Sequence, residues 1–365
     1  MEYSYKFRLY PTKNQEKYIH KNFGCCRFVY NYFLARRKEV YEKEEKTLNY
    51  HDCCKELTEL KKTYTWLKDV DSTALQSTLK DLDAGYQNFF RRIKKGEKPN
   101  YPKFKNKNNH KKSYKTKGKI RVCDNGVSVP KIGMIKCCIS QQVKGRILSA
   151  TISQVSSGKY YIVLCCTDVD IASKVKTGKS IGIDCSLSDF VVMSDGNTYT
   201  NLSFLSRSER KLALLQRRLS RKEKGSKNYE KARIKVAKLH EKIANQRMDM
   251  IHKQSTMLIN QYDQIVTQAI DIKNLKEHTQ IAKSLSDMFF GEFKRQLDYK
   301  AIWYGKTIIE VDKSFPAKQI CSNCGSLLTK VVISSEYCCP DCGLVLNTQM
   351  NSAINILKKG RKIVS

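Results

Sequence analysis

Acidic residues are scarce in this chain: 35 Asp and Glu stand against 68 Lys and Arg over 365 residues, which leaves a net charge of +33. A deficit of that size points to a polyanion as the partner. Proline and glycine are also sparse, at 6 and 17, and no short-period repeat runs through the chain. Collagen-like, mucin-like and secreted mini-protein classes are thereby excluded. Long apolar runs are missing. With no stretch of about 18 apolar residues and no basic, apolar, small-residue leader pattern at the start, a membrane is set aside as the polyanion and a soluble cytoplasmic protein is expected. A disulfide framework is missing as well, because fifteen cysteines is an odd number and ten of them sit in adjacent pairs, at 25/26, 53/54, 137/138, 165/166 and 338/339. Most are expected to be free, buried thiols. What is present is enough apolar material, 41%, to build the cores of two or three domains.

Tyr3, Tyr5, Phe7 and Leu9 alternate with polar residues up to Pro11, the pattern of a half-buried strand. From about Lys13 to Arg92 the chain reads as helices. Leu75, Leu79, Leu82, Tyr86 and Phe89 or Phe90 fall at helical spacing, so Phe89 and Phe90 are expected in a core. The Lys-rich stretch from Lys94 to Lys119, with Tyr and Phe interleaved, reads as a basic loop or linker. ILSATISQV and KYYIVLCC then flank a Ser-Ser-Gly turn as a hairpin, which together with the first strand is expected to close a small barrel. SIGIDCSL and FVVMSDGNTYT open a second strand-rich block. Two long helices follow, one with Leu212, Leu215 and Leu219, the other with Ala232, Val236, Leu239 and Ile243. QIVTQAI and TIIEVD read as buried strands separated by a helix over roughly 286–302, which completes an α/β order.

Cys321-x2-Cys324 and Cys339-x2-Cys342 form two knuckles 14 residues apart, each followed by glycine. Four soft ligands at this spacing are what structural tetrahedral zinc requires. Cys338 stands beside Cys339 but outside the CPxCG form.

Taken in order, several stretches resemble one family, the TnpB/OrfB proteins of insertion sequences, compact RNA-guided nucleases related to type V CRISPR effectors. They are YKFRLYPTKNQ, FFRRIKKGEKPNYPKFK, Gly182-Ile183-Asp184, NQRMDMIHKQSTMLINQYDQIV and SLSDMFFGEFKRQLDYKAIWYGKTIIEVD, followed by CSNCG and CPDCG. The resemblance implies a multidomain α/β protein in four parts. These are a β-barrel wedge (1–15 and 115–175), an inserted helical recognition domain with the basic linker (16–114), a ribonuclease H-like RuvC domain (176–316 and 346–365) and an inserted zinc ribbon (317–345). It further implies a bacterial protein that associates with the nucleoid when bound to DNA.

The family's chemistry uses three acids to hold two Mg²⁺ ions. Asp184 occupies the first acid position. The aligned second segment reads IVTQAIDIKNL and the third CGLVLNTQMNSAINI, which place Gln268 and Gln349 where carboxylates belong. Glutamine keeps the carbonyl oxygen and loses the charge, so no productive Mg²⁺ site and no enzyme activity are expected. Asp271, Glu310 and Asp312 are the nearby acids that would have to compensate. With the zinc ligands and basic segments kept, the sequence is most similar to the nuclease-dead TnpB-like repressors called TldR. Guide RNA and double-stranded DNA are the implied partners, with one chain per RNA. Gln76 and Lys80, one helical turn apart, are candidates for reading a target-adjacent motif; Arg91, Arg92, Lys103, Lys105, Arg217, Arg218 and Arg221 are candidates for phosphate contact. An active RNA-guided endonuclease and an unguided zinc-ribbon binder of nucleic acid remain the alternatives. The six histidines show no ligand spacing.

Overall fold

The computed structural model describes residues 1–185, 189–200, 204–269, 290–328 and 334–364. It divides into two units, Met1–Asp170 and Ile171–Ser365.

In the first unit, β1 (Tyr3–Tyr10) buries Tyr5, Phe7 and Leu9 and turns outward Ser4, Lys6 and Tyr10, as its alternation requires. Pro11 ends the strand, and Thr12 starts α1 (Lys13–Glu44) with a capping box: its hydroxyl accepts from the Gln15 N–H at 3.4 Å while its own N–H donates to Gln15 Oε1 at 3.0 Å. A second such box, Asn49 with Asp52, opens α2 (Tyr50–Thr63). Asp71 caps α3 (Ser72–Lys94), accepting from the Thr73 N–H at 3.0 Å and from the Thr116 hydroxyl, and so ties the helix start to β2 (Lys112–Thr116). Between α1 and α3 the guanidinium of Arg37, 6% exposed, meets Asp83 at 2.7 Å.

The remaining strands of this unit are β3 (Arg121–Cys123), β4 (Gly126–Val129), β5 (Gly133–Cys138), β6 (Arg146–Gln154) and β7 (Tyr160–Thr167). They form one antiparallel sheet in the order β2-β6-β7-β1-β5-β4-β3. The hairpin around Ser157 and Gly158 is present, with Gly158 at φ 87°. Two expectations are corrected. Lys112–Thr116, read as loop, is an edge strand, where lysines are tolerated because one side lacks a strand partner. Phe90 is 47% exposed: the fully buried row of α3 stops at Leu82, and beyond it Tyr86 and Phe89 turn to Tyr101 while Phe90 rests on the rings of its helix neighbours Tyr86 and Phe89.

The second unit is built on β8 (Ser180–Asp184), β9 (Asp189–Met193), β10 (Thr198–Thr200), β11 (Gln264–Gln268) and β12 (Thr307–Val311), in the order β10-β9-β8-β11-β12. β8, β11 and β12 run parallel, and the hairpin of β9 and β10 joins antiparallel to β8, the ribonuclease H-like arrangement. α4 (Phe204–Ser220) and α5 (Lys227–Gln261) pair through Leu212, Leu239 and Ile243. One face of the sheet, with Ile181, Ile183 and Ile265, is covered by α5 and α6 (Phe290–Tyr304). The other face, with Val266, Ile309 and Val311, is covered by α7 (Thr348–Val364) through Ile356 and Leu357.

Two glycines let α7 lie directly on the strands. A Cβ on Gly182 would collide with the carbonyl oxygen of Ala353 and come within 2.8 Å of Leu357 Cβ; one on Gly360 would collide with Val266. A two-stranded ladder, β13 (Glu336–Cys338) and β14 (Val345–Asn347), leads into α7. Among the described residues no helix is long and apolar enough to cross a membrane.

Candidate functional site

Asp184 is the last residue of β8 and Gln268 the last of β11. These strands are parallel neighbours with Thr267 opposite Ile183, so the next positions in register are Gln268 and Asp184 themselves. Side chains alternate along a strand, which puts both on the α7 face, at the carboxyl ends where sites of open α/β sheets form. Gln349 lies in the first turn of α7, whose N-terminal N–H groups at Gln349 and Met350 donate to the Asn347 side chain at 2.9 and 3.1 Å. The fold therefore brings Asp184 and Gln268 to one end of one sheet, and Ser352, three residues beyond Gln349 on α7, lies beside Asp184.

Their chemistry is less uniform than their placement. Asp184 is 6% exposed, and burial pushes its carboxyl up to about 6 against the opposing pull of Lys318 and Ser352. Among the described residues its Oδ2 makes no hydrogen bond, and the Lys318 ammonium lies 3.9 Å from the carboxylate. Gln268 uses its amide group as a donor, to the backbone carbonyls of Phe315 at 2.7 Å, Asp312 at 3.1 Å and Lys313 at 3.4 Å. A carboxylate has no proton to offer those three oxygens. One buried carboxylate and two carboxamides form a poor donor set for a pair of Mg²⁺ ions, which take carboxylate oxygen.

The neighbouring acids are engaged elsewhere. Glu310 is in register with Thr267, hence on the α6 face, and pairs with Lys294 at 3.0 Å. Asp312 accepts from the Ser314 N–H at 2.8 Å and its hydroxyl at 2.5 Å, which hold its carboxyl below the usual range. Asp271 lies outside the described residues.

The cysteine knuckles meet. The Sγ atoms of Cys321, Cys324, Cys339 and Cys342 all lie within 4.8 Å of one another, with Cys321 to Cys342 and Cys324 to Cys339 at 3.6 Å. Tetrahedral zinc with bonds of about 2.3 Å spaces its sulfurs about 3.8 Å apart, so the set fits zinc with no position left open. Cys338 is exposed on β13 and outside the cluster. The ribbon is fastened to α7: the Ser322 N–H donates to Asn351 Oδ1 at 2.8 Å, and Asn351 Nδ2 to the Ile320 carbonyl at 2.8 Å.

The candidate nucleic-acid contacts fall into three groups. Arg218 and Arg221 line a groove between α4 and α5 together with Lys222, Asn228, Lys231 and Lys235, a lining with no acid in it. Arg217 is exposed on the same helix. Gln76 and Lys80 are exposed on α3, but the Lys80 ammonium sits 5.4 Å from the Tyr50 ring centroid and shares its hollow with Asp81 and Asp83. Arg91 and Lys103 are exposed and Arg92 is half-buried. Lys105 is exposed as a residue, yet its ammonium is tucked over the Tyr30 ring at 4.1 Å and burial lowers its pKa; its backbone exchanges hydrogen bonds with the Asn31 side chain at 2.8 and 3.0 Å. It is therefore pinned to α1. Sequence reasoning missed Lys231 and Lys235, although their four-residue spacing on one helix was there to be read. It also missed Lys318, for which the sequence carries no signal.

Comparison with known proteins bears on the whole chain. The OrfB_IS605 family profile, described as "Probable transposase", matches residues 163–279, and a Cas12f1-like TNB domain profile matches 290–356. A profile described as a helix-turn-helix domain matches 1–46, where the structure has one strand and one 32-residue helix. A Streptomyces pristinaespiralis protein, named by inference an RNA-guided DNA endonuclease, is 32% identical over 98% of this chain and 89% of its own. InsQ of Escherichia coli K12, named likewise, is 32% identical over 99% of this chain and 93% of its own. Among solved structures, Cas12f1 from its complex with guide RNA and target DNA shares the fold, with a TM-score of 0.57 at 14% identity over 98% of both chains.

Proposed function

We propose, for a chain that belongs to the TnpB-like OrfB_IS605 family, that it works as an RNA-guided DNA-binding protein which occupies its target and represses transcription without cutting it. The observation that carries this reading is at the strand ends. Two of three acid positions hold carboxamides, and one of these, Gln268, is committed as a donor to three backbone carbonyls. The four-cysteine cluster and the acid-free groove between α4 and α5 support a binding function kept alongside the altered site.

In this reading a structured RNA is held through phosphates and 2′-hydroxyls, which is how proteins grip RNA helices. Its guide segment pairs with one DNA strand, so sequence is delegated to base pairing and the protein grips the heteroduplex by its backbone. Exposed polar side chains such as Gln76 and Lys80 on α3 read a short motif in the flanking duplex. Zinc, held by the four cysteines, supplies structure alone.

The test is to tag the protein in its host, crosslink, and sequence the RNA that co-purifies. One abundant RNA with a fixed scaffold and a 3′ segment matching a promoter is expected; ribosomal background alone would overturn guidance. Incubating that ribonucleoprotein with a matched target and Mg²⁺ separates the second reading, favoured by the names of the relatives. Intact DNA is expected, and cutting that disappears with Asp184→Ala would establish an endonuclease. Replacing Arg217, Arg218 and Arg221 with Ala is expected to weaken RNA binding with little sequence preference. The slope of log K against log salt should fall by about 2 to 3, at roughly 0.7 to 0.9 for each phosphate no longer neutralised. An unchanged slope would place the RNA elsewhere.

A further inference from the structure

We propose that the connector between β12 and the first cysteine knuckle, residues 312–320, is a built-in plug over the ends of β8 and β11, with Gln268 as its staple and Lys318 as its cation. The inference rests on the reading that this site does not cut, and explains how the altered site is kept closed.

At its start the connector is held by Gln268, whose amide donates to the carbonyls of residues 312, 313 and 315. At its far end Asn355 Nδ2 donates to the carbonyls of Ala317 at 3.0 Å and Ile320 at 2.7 Å, and the next residue of α7, Ile356, is packed in the sheet's core. Lys318 lies between these anchors, and its ammonium is 3.9 Å from the buried Asp184 carboxylate. A buried carboxylate is costly unless a positive charge accompanies it. Divalent metal is one source of that charge; here the chain carries its own. The plug has a consequence for reversal. Glutamate at 268 would lose all three bonds and face their carbonyl oxygens, while Lys318 would still compete with any metal ion for Asp184.

Restoring both acids therefore should not restore the metal site. The full-length protein is compared with Gln268→Glu/Gln349→Asp and with the same pair plus Lys318→Gln, using Mn²⁺ as probe in electron paramagnetic resonance. Thermal melting is followed in parallel. The double variant is expected to melt lower than the parent and to bind Mn²⁺ no more tightly; the triple variant is expected to gain at least tenfold. Equal binding by double and triple, or an unchanged melt for the double, overturns the plug. A cycle of Asp184→Asn and Lys318→Gln in the parent chain gives an independent reading, since coupled effects on the melt support the interaction and strictly additive effects refute it. Neither readout depends on guide RNA or cleavage, so the plug and the guided-binding reading can fail separately.

Discussion

Treating the purified chain with a strong chelator is expected to remove one zinc ion and to unfold the ribbon, the largest single loss in the molecule. The ribbon's own core consists of Cys321, Tyr337 and Cys339, with Leu328 and Leu344 packed against it. Two of those core residues are ligands, so little apolar burial remains once the metal is gone. Structural zinc contributes on the order of 10–16 kcal/mol in small domains at neutral pH, far more than this core can replace. Cys342→Ser should reproduce the effect, because three ligands leave the tetrahedron open. The loss should not stop at the ribbon, since Ser322 and Ile320 are hydrogen-bonded to Asn351 on α7. Zinc per chain by elemental analysis, with amide exchange before and after chelation, checks both parts. Protection that survives at Tyr337 and along α7 would show the knuckles to be self-supporting. Affinity should also fall as pH is lowered, because the thiolate is the form of cysteine that binds zinc and the metal must displace a proton from each protonated thiol.

Gly182→Ala is expected to cost about 3 kcal/mol or more, an unusual penalty for one methyl group and at the upper end of what overpacking costs. The added carbon meets the Ala353 carbonyl and the backbone N of Leu357 at 2.9 Å, which are main-chain atoms that cannot rotate away. Relief requires α7 to lift from β8, which would also move Ser352 from the neighbourhood of Asp184. For a unit of this size the shift corresponds to a melting temperature lower by about 6–12 °C. Gly24→Ala is the control. It lies inside α1 with nothing within 4 Å of the new carbon, and should stabilise by up to about 1 kcal/mol through helix propensity. Calorimetry on both variants decides the matter, and a Gly182→Ala chain that melts with the parent would mean that α7 has slack on the sheet.

Much of this architecture is legible in the sequence where a single period or spacing dictates it. The alternation of β1 and β7 returns as the burial pattern of those strands, and the Cys-x2-Cys pairs return as one cluster. The row Leu75, Leu79 and Leu82 is buried on α3. Legibility fails where contact depends on tertiary partners. Phe90 continues the α3 stripe in sequence, but at that turn Tyr101 packs on Tyr86 and Phe89 and the Phe90 ring is left half uncovered. Lys112–Thr116 is dominated by polar and charged residues and reads as loop; it is a strand because β6 supplies its ladder from one side. At the strand ends, the sequence shows that Gln268 lacks a charge, whereas only the fold shows that its amide has found three acceptors. Lys318, far along the chain from Asp184, could not have been linked to it by any local rule.

The placement of β1 also fixes an order of events during synthesis. Its partners on either side are β7 and β5, and Tyr3 pairs with Cys166 while Arg8 pairs with Cys138. At roughly 5–20 residues per second, a nascent first strand waits on the order of ten to thirty seconds for β7 to leave the ribosome. The helices α1 to α3, whose contacts are local, can form during that interval, while one edge of the strand stays without its ladder partner. An unpaired apolar strand is open to aggregation for as long as it waits, so this pairing over about 160 residues exposes the nascent chain more than a local hairpin would.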